Sequence, residues 1–91
     1  MPLRYHIYRI NKEFHVMFEC LSEAEEFDYD IRDYLASIKA RAVISGTINV
    51  EDEDKVIKMI FELSDIAKKA TKKGNLNPKI LEERLNAISQ A

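Results

Sequence analysis

One cysteine, two glycines and two prolines are all that this 91-residue chain holds of the residues that crosslink or break a backbone. A lone Cys20 cannot close an intramolecular disulfide, which argues against a stapled secreted scaffold and points to a reducing cytoplasm. Met1-Pro2-Leu3-Arg4 leads straight into an alternating pattern without the apolar core of a signal peptide, and no window is apolar enough for a membrane span. Catalytic signatures are also missing: there is no G-x-S-x-G, no phosphate-cradling glycine loop, no H-E-x-x-H and no C-x-x-C. A non-enzymatic role without a cofactor is therefore expected. Gln90 is the single glutamine while charged residues make up 33 % of the chain, a composition that leans toward a heat-adapted source.

What the chain does have is alternation. Tyr5, Ile7 and Arg9 project one way and Arg4, His6, Tyr8 and Ile10 the other, which reads as a strand. Phe14, Val16, Phe18 and Cys20 alternate with His15, Met17 and Glu19 in a second. Asn11-Lys12 between them predicts a two-residue hairpin turn. Pairing Ile10 with Glu13 then sets Tyr8 opposite His15, Ile7 opposite Val16, His6 opposite Met17 and Tyr5 opposite Phe18. Tyr5, Ile7, Phe14, Val16 and Phe18 thereby share one face, as a half-buried antiparallel pair requires.

Ser22-Glu23-Ala24-Glu25 has the form of a capping box, and Ala24, Phe27, Ile31, Tyr34, Leu35 and Ile38 follow at helical spacing. The β-branched run Arg41 to Val50 predicts a third strand, with Gly46 marking a bulge or a close approach. A second long helix begins among Glu51 to Asp54, carries Val56, Met59, Ile60, Leu63, Ile66, Ala67 and Ala70 on one stripe, and stops at Gly74. Asn77-Pro78 caps a short final helix bearing Ile80, Leu81, Arg84, Leu85 and Ile88. The expected fold is α+β: a two-layer sandwich in the order β-β-α-β-α-α. Its three-stranded antiparallel sheet has spatial order 3-1-2, with two long helices on one face. Residues 1–74 form the core domain and 75–91 a helical arm that docks on that core or on a partner subunit.

Such an architecture leaves a sheet face uncovered. The register places His6, Tyr8, Ile10, His15 and Met17 there, joined by Val43, Ser45 and Thr47 if Ile44 points inward and flanked by Arg4 and Arg41. A solvated strand face favours lysine, glutamate and threonine, whereas this one mixes aromatic, imidazole and thioether groups. It reads first as a homodimer interface or the seat of the C-terminal helix. Second, it reads as a nucleic-acid platform where rings stack on bases and arginines meet phosphates. Third, it is a tolerated mixed surface.

Charge is segregated although the net is only −2. Residues 19–33 hold Glu19, Glu23, Glu25, Glu26, Asp28, Asp30 and Asp33 against Arg32, and 68–79 hold Lys68, Lys69, Lys72, Lys73 and Lys79 with no acid. Opposite poles steer oriented association, so the acidic segment suits a protein partner and the lysines suit phosphates or an acidic partner. Lysines are also simply favourable at a helix C-terminus. Asp28, Asp30 and Asp33 offer oxygen ligands but lack the loop glycine and distal glutamate of an EF-hand, which leaves them a weak metal candidate. His6 and His15 fall short of the ligand count that a tetrahedral metal site needs. Either of them with Glu13 or Glu19 is the remaining acid–base alternative.

Overall fold

The computed structural model describes residues 3–20, 35 and 37–91 of the chain. Strands β1 (Leu3–Ile10) and β2 (Glu13–Cys20) form the hairpin in the register set by alternation, from Ile10 opposite Glu13 to Leu3 opposite Cys20. Asn11 and Lys12 take φ of 51° and 71°, the left-handed pair that a two-residue turn needs to match strand twist. Tyr5, Ile7 and Phe14 are buried on the inner face, with Leu3, Val16 and Phe18 packed against them.

Strand β3 (Ala42–Ile48) runs antiparallel to β1, giving the order β2-β1-β3, which is the expected 3-1-2 arrangement seen from the other edge. Ile7 faces Ile44 but Tyr8 faces Ala42, so Val43 is the extra residue of a bulge. Gly46 has the other role expected of it. It pairs with Tyr5, whose ring covers it: a β-carbon there would lie 2.5 Å from Tyr5 Cζ and 2.8 Å from Cε1.

Helix α1 (Glu53–Lys73) starts on Asp52, whose carboxylate accepts from the Asp54 N–H at 3.0 Å. It ends where Gly74, at φ 85°, donates its N–H to Ala70 O at 2.8 Å. Met59, Leu63, Ile66, Ala67 and Ala70 form its buried stripe against β2. Helix α2 (Pro78–Gln90) is capped by Asn77, which accepts from the Lys79 N–H at 3.0 Å, and folds back along α1. Lys55 Nζ reaches Ser89 O at 3.1 Å, fixing the antiparallel run of the two helices. Leu81, 1 % exposed, enters the same core as Tyr5 and Ile7, with Leu85 and Ile88 against it. The C-terminal helix thus lies on the inner face, beside α1. The fold is a small α+β unit.

Between β2 and β3, Leu35 and Ser37 are helical. The Ala40 N–H closes back on Leu35 O at 2.9 Å while Lys39 takes φ 57°, a Schellman-type helix end with lysine where glycine is usual. The capping box at Ser22, the helical positions Ala24 to Tyr34, the candidate Asp28, Asp30 and Asp33, and the side chains of Glu19 and Cys20 lie outside the described residues.

Candidate functional site

Alternation in β1 and β2 sends His6, Tyr8, Ile10, His15 and Met17 away from the helices. His6 is central: Met17 opposes it from β2 and Ser45 from β3, with His6 Nδ1 and Ser45 Oγ 2.7 Å apart in a hydrogen bond. Its ring is 6.2 Å from that of Tyr8 and tilted by 45°. Tyr8 is flanked by His15 on one strand and by the bulge at Ala42 and Val43 on the other. His15 Nε2 approaches Glu13 Oε2 at 3.3 Å. His6, Tyr8, Ile10 and Met17 are half-buried by their neighbours, whereas Arg4, His15, Arg41, Ser45 and Thr47 are exposed and Val43 keeps 51 % of its surface in water. This row gives a partner ring faces, a thioether and branched carbon to pack on.

A second constellation arises only from the tertiary fold. Arg9 Nη2 donates to Gly74 O at 3.3 Å, so the hairpin turn and the end of α1 occupy the same end of the sheet. Because β3 is antiparallel to β1, its entry at Arg41 is there too. Lys68, Lys69, Lys72, Lys73 and Lys79, which sequence spacing already grouped, are therefore joined by Arg9, Lys12, Lys39 and Arg41. Lys69 is paired with Asp65 at 2.9 Å. The opposite end, where β3 leads into α1, carries Glu51, Asp52, Glu53 and Asp54. The described residues thus carry a basic excess at one end, where Glu13 is the acid of the hairpin, and an acidic group at the other, where Arg4 and Lys55 also stand.

At the basic end a cleft of about 470 Å³ opens between the hairpin turn and residues 38–41. Arg9, Lys39 and Arg41 are its charged walls and Ile10 and Ile38 its apolar ones, with no carboxylate among the described residues that line it. Arg9 is held by Gly74 O and by the Phe14 ring, 5.3 Å beneath its guanidinium. The hairpin register alone could have located Arg9 and Lys12 here. Lys39 carries no such signal, because nothing local announces a lysine in a left-handed helix cap.

Among the described residues no three histidine, cysteine, aspartate or glutamate side chains stand close enough to hold a metal ion, and no helix is long and apolar enough to cross a membrane. Comparison with protein-family models, curated proteins and solved structures found no match.

Proposed function

We propose that this chain is a non-enzymatic interaction domain of the cytoplasm that self-associates as a homodimer through its outer sheet face. The observation that carries the reading is the half-buried row of His6, Tyr8, Ile10 and Met17 on the face turned away from α1 and α2. The separation of charge favours a second copy as the occupant. A twofold axis that crosses the strands of two facing sheets in antiparallel fashion lays the Arg9–Lys73 end of one copy over the Glu51–Asp54 end of the other. The lone Cys20 fits a reducing compartment.

Size sets the expected strength. Three strands spaced about 4.8 Å apart and about 25 Å long present roughly 350 Å² of planar area, well under the ~800 Å² per partner of a standard complex. The dimer is accordingly reversible, with a dissociation constant of about micromolar or weaker. Sedimentation velocity across a wide concentration range tests it. A mass that rises with concentration and falls back to monomer in Tyr8→Glu or Met17→Glu supports the reading. A monomer at every concentration, or a dimer indifferent to both substitutions, removes it.

A second reading is favoured by one observation, the gathering of Arg9, Lys12, Lys39 and Arg41 beside the lysines of α1. It is nucleic-acid binding through the basic end, with the rings of His6, Tyr8 and His15 as a stacking surface. No retention of single- or double-stranded RNA or DNA at low salt would dismiss it.

A further inference from the structure

Beyond the net charge that the proposed dimer would set against an acidic end, the cleft at the basic end has features of its own. Among the described residues its charged lining is cationic, and one of its cations is already positioned. Arg9 spends one donor on Gly74 O, and the rest of its planar fork remains for an oxyanion. The backbone is unusual at the same place. Asn11, Lys12 and Lys39 are the non-glycine residues with positive φ among the described residues, and all three border this end of the sheet. Asn11 suits that conformation; the two lysines do not, and glycine at 39 would relieve it. Sparsely populated backbone states persist where they place a useful group, and here they place cations.

We propose that this cleft binds a phosphate ester of nucleotide size. The phosphate would lie against Arg9, Lys39 and Arg41 and the organic part against Ile10 and Ile38, the latter 41 % exposed. Arginine recognises phosphate through paired, directional hydrogen bonds, and Lys39 adds a point charge. A volume of about 470 Å³ falls within the span of small-molecule sites and exceeds what inorganic phosphate alone requires. Nucleotides and the backbone or end of a nucleic acid carry the same group, and the test separates them.

Calorimetric or NMR titration of the full chain with adenosine 5′-monophosphate, adenosine and single-stranded oligonucleotides of increasing length decides the matter. The expected result is saturable binding of the monophosphate, with adenosine about 10-fold weaker or undetected. Arg41→Gln weakens it by about 5-fold or more. Lys39→Gly weakens it similarly yet raises the melting temperature of the free protein, because the strained cap relaxes while the cation is lost. Affinity that climbs with oligonucleotide length identifies a nucleic acid as the source; affinity independent of length identifies a free nucleotide. The proposal is overturned by no binding of the monophosphate, by equal binding of adenosine, or by an equal loss in Lys72→Gln, which lies outside the cleft. Lys39→Gly that stays folded and binds undiminished also overturns it.

Discussion

The backbone N–H of Phe14 donates to Thr71 Oγ1 at 2.8 Å, and the same hydroxyl donates to Ala67 O at 2.9 Å. One side chain thus ties the edge strand β2 to the last turns of α1 and satisfies the half-buried amide of Phe14. Edge strands expose unpaired amides that invite foreign strands, and a helix hydroxyl that occupies one blunts that edge. Thr71→Val keeps the shape and removes both bonds. It is expected to cost about 1–2 kcal/mol, read as a lower urea midpoint at unchanged slope. Thr71→Ser keeps the hydroxyl and should lose less than Thr71→Val.

Gly46 under Tyr5 is a sharper constraint. A β-carbon there would overlap Tyr5 Oη, with Cζ at 2.5 Å and Cε1 at 2.8 Å, and the ring has little room to retreat because Tyr5 is 6 % exposed. Gly46→Ala is expected to destabilise by roughly 2–3 kcal/mol through overpacking. Since ring carbons collide as well as the hydroxyl, a Tyr5→Phe background should not rescue it. Tyr5→Val in combination should cost less than the sum of the two single changes, a coupling that a double-mutant cycle measures.

The hairpin was legible because slipping its register by one residue would expose Tyr5, Ile7, Phe14, Val16 and Phe18 together, so one pairing dominates. Helix α1 was legible for a similar reason: Asp52, the stripe from Met59 to Ala70, and Gly74 all agree. Gly46 announced only that something happens at it, and its two candidate roles went to different residues. Val43 took the bulge, since nothing in Arg41-Ala42-Val43-Ile44 marks which residue is supernumerary. Of the candidate surfaces, the outer row from His6 to Met17 followed from alternation. The basic cleft did not, because Arg9, Lys39 and Arg41 meet only after the sheet closes and Lys39 occupies a position where glycine would have been the signal.

Burial lifts the Tyr5 hydroxyl above its usual 10.0, and the negative charge of Glu82 lifts it further. The folded state therefore holds that proton more tightly than the unfolded chain. Its contribution to stability is complete below about pH 10 and is lost as pH rises from there through the elevated folded value. Tyrosinate absorbance followed alongside thermal melts up to about pH 12 should show the loss. Glu82→Gln should lower the Tyr5 value but leave most of the shift, since burial is its larger cause.

Asp65 behaves in the opposite sense. A hydrogen bond from Lys69 pulls its carboxyl below the usual 3.8, helped by the charges of Lys69, Arg84 and Lys68 against an opposing contribution from desolvation. Stability from this group is present above pH 3.8 and disappears as pH falls through the lowered folded value. Asp65→Asn should flatten that acid limb, and added salt should shrink the difference between the two proteins because the pair is exposed.

Helix α2 has 13 residues, a length at which an isolated helix is marginal in water, so its order depends on what it packs against. Leu81 is the anchor, 1 % exposed within the shared core. Arg84 adds a hydrogen-bonded ion pair to Glu62 on α1 at 3.0 Å, with side-chain exposures of 42 % and 27 %. A half-exposed pair is worth about 0.5–1 kcal/mol, whereas removing a buried leucine costs about 2–5 kcal/mol. Leu81→Ala should therefore release α2 well before the sheet and α1 melt, because β1, β2 and the α1 stripe keep their mutual contacts. Hydrogen exchange checks this directly. Amides of residues 81–90 should exchange much faster in Leu81→Ala while those in the middle of α1 speed up only as far as global stability falls, and Arg84→Met should show a fraction of the effect. Equal acceleration across both helices would mean that the arm and the core unfold as one unit.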